Sequence, residues 1–316
     1  MSTFFKAQTG QNRRNAGVLE VNPTTRVVKR HNPVKSIGFY IVSLVGKVII
    51  NNLVINVILP CNILKAFLSG NANGKLLTYA GILLISLGIQ IFSVLYGKAA
   101  FRKEPEGRRK CLEYATICSN SGFLGNPVAE GLYGAEGLVL ASIYLIPLRI
   151  MMWSSGLSLF SGSHDKRQTA KKVLTHPCII ACIIGIVFMV TGWKLPSSVM
   201  GVISALGNCN TAMSMLVIGM ILEHIDIKEI WDKSVFVYCL HRLLIIPGIV
   251  FLVCLMLPVD NMTKGLCVIL AAMPAGATTS ILAEKYQMQP TFATKLVIVS
   301  TLLSLPSLFL WTMILQ

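Results

Sequence analysis

The chain has 316 residues, 54% of them hydrophobic and 13% charged, with a mean hydropathy of +0.68. That balance excludes a soluble globular protein of this size and makes lipid the solvent for most of its surface. The formal charge of +15 raises nucleic-acid binding through basic patches, but Lys and Arg collect in short connections between apolar runs, as cytoplasmic loops do, and no nucleic-acid partner is expected.

Residues 1–36 carry Lys6, Arg13, Arg14, Arg26, Lys29, Arg30 and Lys35 without the apolar core of a signal peptide. They read as a polar, basic cytosolic arm. Beyond it, a hydrocarbon layer of about 30 Å needs roughly 20 apolar residues per helical crossing. On that measure nine segments are expected, at 37–68, 76–97, 111–131, 136–160, 173–193, 197–222, 234–257, 264–284 and 291–315. The first is too long for a straight crossing and too short for two, so a bend near Pro60 is expected. The segments group into a first helical repeat of four (37–160), a cytosolic linker (161–172) and a second repeat of five (173–316).

Loop charge alternates along this count. The arm, Lys98–Lys110, Lys166–Lys172, Lys228–Lys233 and Lys285 fall on one side, while the other holds only Lys75, Lys194 and Lys264. The rule that cytoplasmic loops are basic then places the N-terminus inside and Gln316 outside, in a multi-pass protein of the cell membrane. Nine cysteines lie scattered with no CxxC spacing, so neither a disulfide framework nor a cofactor or metal site is expected. Cys178 and Cys182 share a helix face near His176, but two thiols are an incomplete ligand set.

Two segments do not look like lipid-facing helices. Cys118-Ser119-Asn120-Ser121-Gly122-Phe123-Leu124-Gly125-Asn126-Pro127 and Met273-Pro274-Ala275-Gly276-Ala277-Thr278-Thr279-Ser280 put Asn, Ser, Thr, Gly and Pro at membrane depth. Unwound backbone survives there only where protein or a watery cavity surrounds it. Each stretch is followed by a short connection and a long apolar segment. Discontinuous helices in corresponding positions of two halves mark the binding site of inverted-repeat transporters. Asn51, Asn52 and Asn56 of the first segment have a counterpart in Asn208 and Asn210 of the sixth.

Half-helices that end inside the membrane present free N–H groups and a partial positive charge, which suit an organic carboxylate. Asn120 and Asn126 can donate to it, and Thr278, Thr279 and Ser280 can complete the ring from the other half; alternatively these side chains only satisfy one another and the unwound backbone. Asn52 and Asn56 lie four apart on one helix face and either line the cavity or glue helices together. Arg149 sits mid-segment and should point inward, to attract the anion or to brace the bundle. His241 and Arg242 pose the same question. Carboxylates suited to proton coupling are few, so protons, sodium and the membrane potential all stay open as driving forces, as does a homodimer. Paired carboxylates, HExxH and Walker motifs are absent from the sequence, and no enzyme is expected.

Asn120-Ser-Gly-Phe-Leu-Gly-Asn-Pro127, Met152-Trp153-Ser154-Ser155-Gly156, Ile218-Gly219-Met220 and Met273-Pro274-Ala275-Gly276 leading to Leu282-Ala283-Glu284-Lys285-Tyr286 together resemble the auxin efflux carrier family, which includes plant auxin exporters and bacterial organic-acid permeases. The likeness runs over about residues 49–313. It implies an all-α inverted-repeat membrane transporter of ten helices in two five-helix halves, whose fourth and ninth helices cross at the substrate site. Asn120 falls on the family's crossover asparagine and Pro127 and Pro274 on its crossing prolines, with Gly122 and Gly276 in the same two stretches. Residues 1–36 are too polar to supply the family's first helix, which agrees with the odd segment count. The function implied is a permease or efflux carrier that moves a small organic anion by alternating access. A ligand-binding membrane receptor, or a scaffold that does not transport, is the alternative.

Overall fold

A computed structural model describes residues 46, 49, 50, 52–69, 75–161, 167, 171, 174–222 and 231–315, all within the unit Val45–Gln316. The basic arm, most of the linker, Asn51, residues 223–230 and Gln316 lie outside the described residues. The fold is all-helical: among the described residues the β pairing is a single isolated bridge. The helices are α1 (Leu59–Ser69), α2 (Leu76–Ala100), α3 (Glu106–Ile117), α4 (Asn126–Met151), α5 (Leu157–Ser161), α6 (Pro177–Thr191), α7 (Ser197–Asn208), α8 (Asn210–Leu222), α9 (Lys233–Leu240), α10 (Ile246–Met256), α11 (Asn261–Ala271), α12 (Thr278–Lys285) and α13 (Pro290–Leu315).

Among the described residues, five stretches are long and apolar enough to cross a membrane, Leu77–Ala100, Ser121–Met151, Ser197–Val217, Lys233–Met256 and Pro290–Leu315; Val54–Ser69, Pro177–Thr191 and Asn261–Ala271 are apolar but shorter. Their ends follow local chemistry. Asp232 opens α9 by accepting the Ser234 amide at 3.0 Å, and Asp260 opens α11 by accepting the Thr263 amide at 2.9 Å, so each carboxylate satisfies an amide that the first helical turn leaves free. α3 begins at Glu106, whose carboxyl is held below its ordinary range by Lys110 one turn on, at 2.8 Å.

Where the first segment was expected to bend, a π-turn (Val54–Ile58) precedes Pro60, and the Leu59 amide reaches back five residues to the Val54 carbonyl. Similar π-turns at Ser121–Gly125, Met152–Gly156 and His241–Ile245 lead into α4, α5 and α10. Gly134, at φ 63° and ψ −154°, breaks α4 into two runs. This is a backbone conformation that only glycine adopts cheaply, and it falls between the expected third and fourth segments.

Pro247 removes an amide from α10, and the carbonyl four residues back would then be orphaned. That carbonyl, of Leu243, accepts instead from Ser307 Oγ and Trp311 Nε1 of α13, both at 2.9 Å. The apolar side chains form two large cores. One gathers Phe67, Leu138–Leu145, Leu266–Met273 and Trp311; the other gathers Cys111–Cys118, Tyr238, Ala275, Leu282 and Phe292–Val299. The two unwound stretches lie between them.

Candidate functional site

α3 ends at Ile117 and the chain re-enters helical structure at Ser121; α11 ends at Ala271 and α12 begins at Thr278. The extended residues in the two gaps run antiparallel and pair: the Asn120 amide donates to the Pro274 carbonyl and the Gly276 amide to the Cys118 carbonyl, both at 2.8 Å. A Cβ on Gly276 would sit 2.9 Å from the Cys118 carbonyl oxygen, so the close approach needs glycine. Four half-helices therefore meet at one crossover, two by their C-termini and two by their N-termini.

The C-terminal side is held by side chains of neighbouring helices. Arg242, 4% exposed, donates from Nε to the Met273 carbonyl at 2.9 Å and from Nη1 to the Thr116 carbonyl at 3.0 Å. The Tyr238 hydroxyl donates to the Ala115 carbonyl at 2.9 Å and Ser121 Oγ to the Leu270 carbonyl at 3.1 Å. Ser300 of α13 accepts the Ala275 amide at 3.1 Å.

The N-terminal side opens on a cavity of about 260 Å³. Asn120, Gly122 and Phe123 line it from the first crossing stretch and Gly276, Ala277 and Thr278 from the second; Leu145, Leu148 and Arg149 come from α4, and Ile55 and Leu59 from the first segment. Tyr114, Met152, His176 and Leu282 complete the lining. Leu, Ile, Phe and Met supply eight of its lining residues. The buried charge in them is Arg149, 5% exposed, whose Nη1 has no hydrogen-bond partner and which takes part in no ion pair among the described residues.

Of the residues singled out from sequence, Asn120, Gly122, Arg149, Gly276 and Thr278 come together at the cavity. Pro127, Asn126, Pro274 and Thr279 are buried and do not line it; Asn126 and Thr279 are 0% exposed, and the side-chain nitrogen and oxygen of Asn126 and the Thr279 hydroxyl have no hydrogen-bond partner. Ser280 Oγ turns back onto the Ala277 carbonyl. Asn52 and Asn56 are exposed away from the cavity, with Asn56 Nδ2 bonded to the Asn52 carbonyl at 2.8 Å, while Ile55 and Leu59 face it. The asparagine counterparts of the sixth segment are likewise structural: Lys65 donates to Asn208 Oδ1 at 2.8 Å, and Ser214 donates to Asn210 Oδ1 at 3.3 Å. His241 hydrogen-bonds Tyr96. Sequence reasoning missed Tyr114, Phe123, Met152 and His176 as lining. Phe123 and Met152 stand in the motif stretches already singled out, and His176 stands just before the proline that starts α6, where its Nδ1 accepts the Cys178 amide.

The sequence family described as membrane transport protein matches residues 41–312. An uncharacterized transporter of Methanothermobacter thermautotrophicus is 29% identical over 274 residues, 84% of this chain and 88% of that protein. An uncharacterized transporter of Methanocaldococcus jannaschii is 24% identical over 278 residues, 84% of this chain and 89% of that protein.

Proposed function

We propose, for a chain that belongs to the membrane transport protein family of the auxin efflux carriers, that its crossover carries a small organic monocarboxylate across the cell membrane by alternating access. The observation that carries this reading is the Arg149 guanidinium, its Nη1 without a hydrogen-bond partner, in one cavity with Asn120 and the half-helix N-termini, where most of the other lining residues are apolar. One fixed cation with the amide-rich ends of two helices matches one carboxylate. A second carboxylate would be set against Leu145, Leu148 or Phe123, so the rest of the substrate is apolar. Asn120 Nδ2 and the Thr278 hydroxyl are the neutral donors.

Two features support alternation. The cavity takes in Asn120, Gly122, Gly276 and Thr278 of the crossover, while the neighbouring core residues Leu138–Leu140 and Leu266–Met273 line none of it. Asn126 and Thr279 hold unpaired polar groups just behind the cavity wall, a cost on the order of 1–3 kcal/mol each; in the state open to the other side they become substrate or water contacts. The nine expected segments then all cross, with the N-terminus inside and Gln316 outside.

A thermal-shift screen of carboxylates on purified protein, followed by uptake or counterflow in proteoliposomes, tests the proposal. Stabilisation by apolar monocarboxylates with flux is expected. A screen in which only cations or neutral solutes bind overturns the anion assignment, and binding without flux makes the protein a receptor.

A further inference from the structure

We infer that Arg242 is the crossover's built-in counter-cation, occupying the place a coupling sodium ion would take, so that this transporter operates without one. The inference rests on reading the crossover as the translocation site. It starts from the ends of α3 and α11. Each presents unsatisfied carbonyls and a partial negative charge of about half an electron, and the bridge between Ser119 and Ala275 forces the two ends together inside the membrane. Two like partial charges in a low-dielectric setting need a cation. In broken-helix transporters such unwound carbonyls and half-helix C-termini are where the coupling ion is coordinated.

Here six of those oxygens are already committed. Arg242 takes one carbonyl from each half, Met273 and Thr116, with two different nitrogens. The crossover amides of Asn120 and Gly276 take Pro274 and Cys118, and Tyr238 and Ser121 take Ala115 and Leu270. A sodium ion would have to displace a tethered guanidinium to take the Met273 and Thr116 carbonyls, one from each half. Arg242 has no carboxylate partner in the ion pairs among the described residues, so the charge that balances it is that of the two helix ends.

The local fold is built for this placement. Arg242 is the second residue of the π-turn His241–Ile245, and its planar fork spans two acceptors on separate helices, which a lysine point charge does not reproduce. Because the cation is part of the chain, it stays with the crossover when the cavity changes sides, and the carboxylate is the charge that is carried.

The test compares melting of the purified full-length chain in sodium chloride and in choline chloride at equal ionic strength. Wild type is expected to melt within about 1 °C in the two salts. Arg242→Ala is expected to melt several degrees lower in choline and to regain stability with sodium chloride or with millimolar methylguanidinium. A wild-type protein stabilised specifically by sodium overturns the inference, as does an Arg242→Ala protein that melts like wild type and ignores the salt. Should Arg242→Ala not fold, Arg242→Gln, which keeps a donor without the charge, is read by the same two criteria. None of these melts contains a carboxylate, so a failed carboxylate screen and a sodium-stabilised wild type are separate results that sink separate claims.

Discussion

Arg149 holds a charge at 5% exposure with one guanidinium nitrogen unbonded, an arrangement that costs stability in the empty protein and that, on the proposed reading, a bound anion offsets. Arg149→Met is therefore expected to raise the melting temperature of the ligand-free protein, by the equivalent of on the order of 1 kcal/mol, and to abolish the shift that carboxylates produce. A variant that is less stable and still responds would make Arg149 a brace. Asn120→Ala is expected to weaken carboxylate binding by about 1–3 kcal/mol with the melting temperature of the empty protein nearly unchanged, because the crossover uses its backbone amide and not its side chain. Gly276→Ala behaves oppositely. Its Cβ meets the Cys118 carbonyl at 2.9 Å, a backbone atom that cannot swing away, so the expected result is a drop in melting temperature before any ligand is added.

Among the elements, the seam between α13 and the π-turn before α10 is held at one atom. Ser307 and Trp311 share the Leu243 carbonyl that Pro247 leaves free. Ser307→Ala or Trp311→Phe alone leaves one donor in place and should cost about 1 kcal/mol or less, whereas the double variant strands the carbonyl and should cost more than the sum; a double-mutant cycle of unfolding measures the difference, and additivity would mean that the seam is not shared. The same element explains what sequence could and could not reveal. The helix breaks beside Asn120 and Pro274 were legible because Asn, Ser, Gly and Pro at membrane depth have no lipid-facing explanation, although helix resumes by Ser121 and Thr278 within the expected stretches. The facing of single residues was not. Arg149 and Arg242 read alike, one charge each in an apolar run, yet one looks into the cavity and the other caps helix ends. Each π-turn inserts one residue and rotates all that follows by roughly 100°, so periodicity counted across Val54–Ile58 or His241–Ile245 loses its phase. Asn52 lies before the first π-turn and Asn56 within it, and both are exposed, while Leu59 just beyond it lines the cavity.

For the whole molecule, the alternating charge of the loops makes a test that needs no ligand: reporter fusions or cysteine labelling at the two termini should report opposite sides of the membrane. Both termini on one side would remove or add a crossing. The pairing at the crossover also sets an order of events during synthesis. Cys118 and Asn120 emerge with the first half of the chain and their partners Gly276 and Pro274 only near its end, a delay of roughly ten seconds or more at ordinary elongation rates of about 5–20 residues per second. Throughout that interval the nascent first half sits in the bilayer with an open carbonyl and amide that nothing yet answers. A ribosome stalled after α8 should therefore leave a fragment that inserts but stays sensitive to membrane quality control, and its release from that surveillance should coincide with the emergence of α12, not with the completion of any single helix before it.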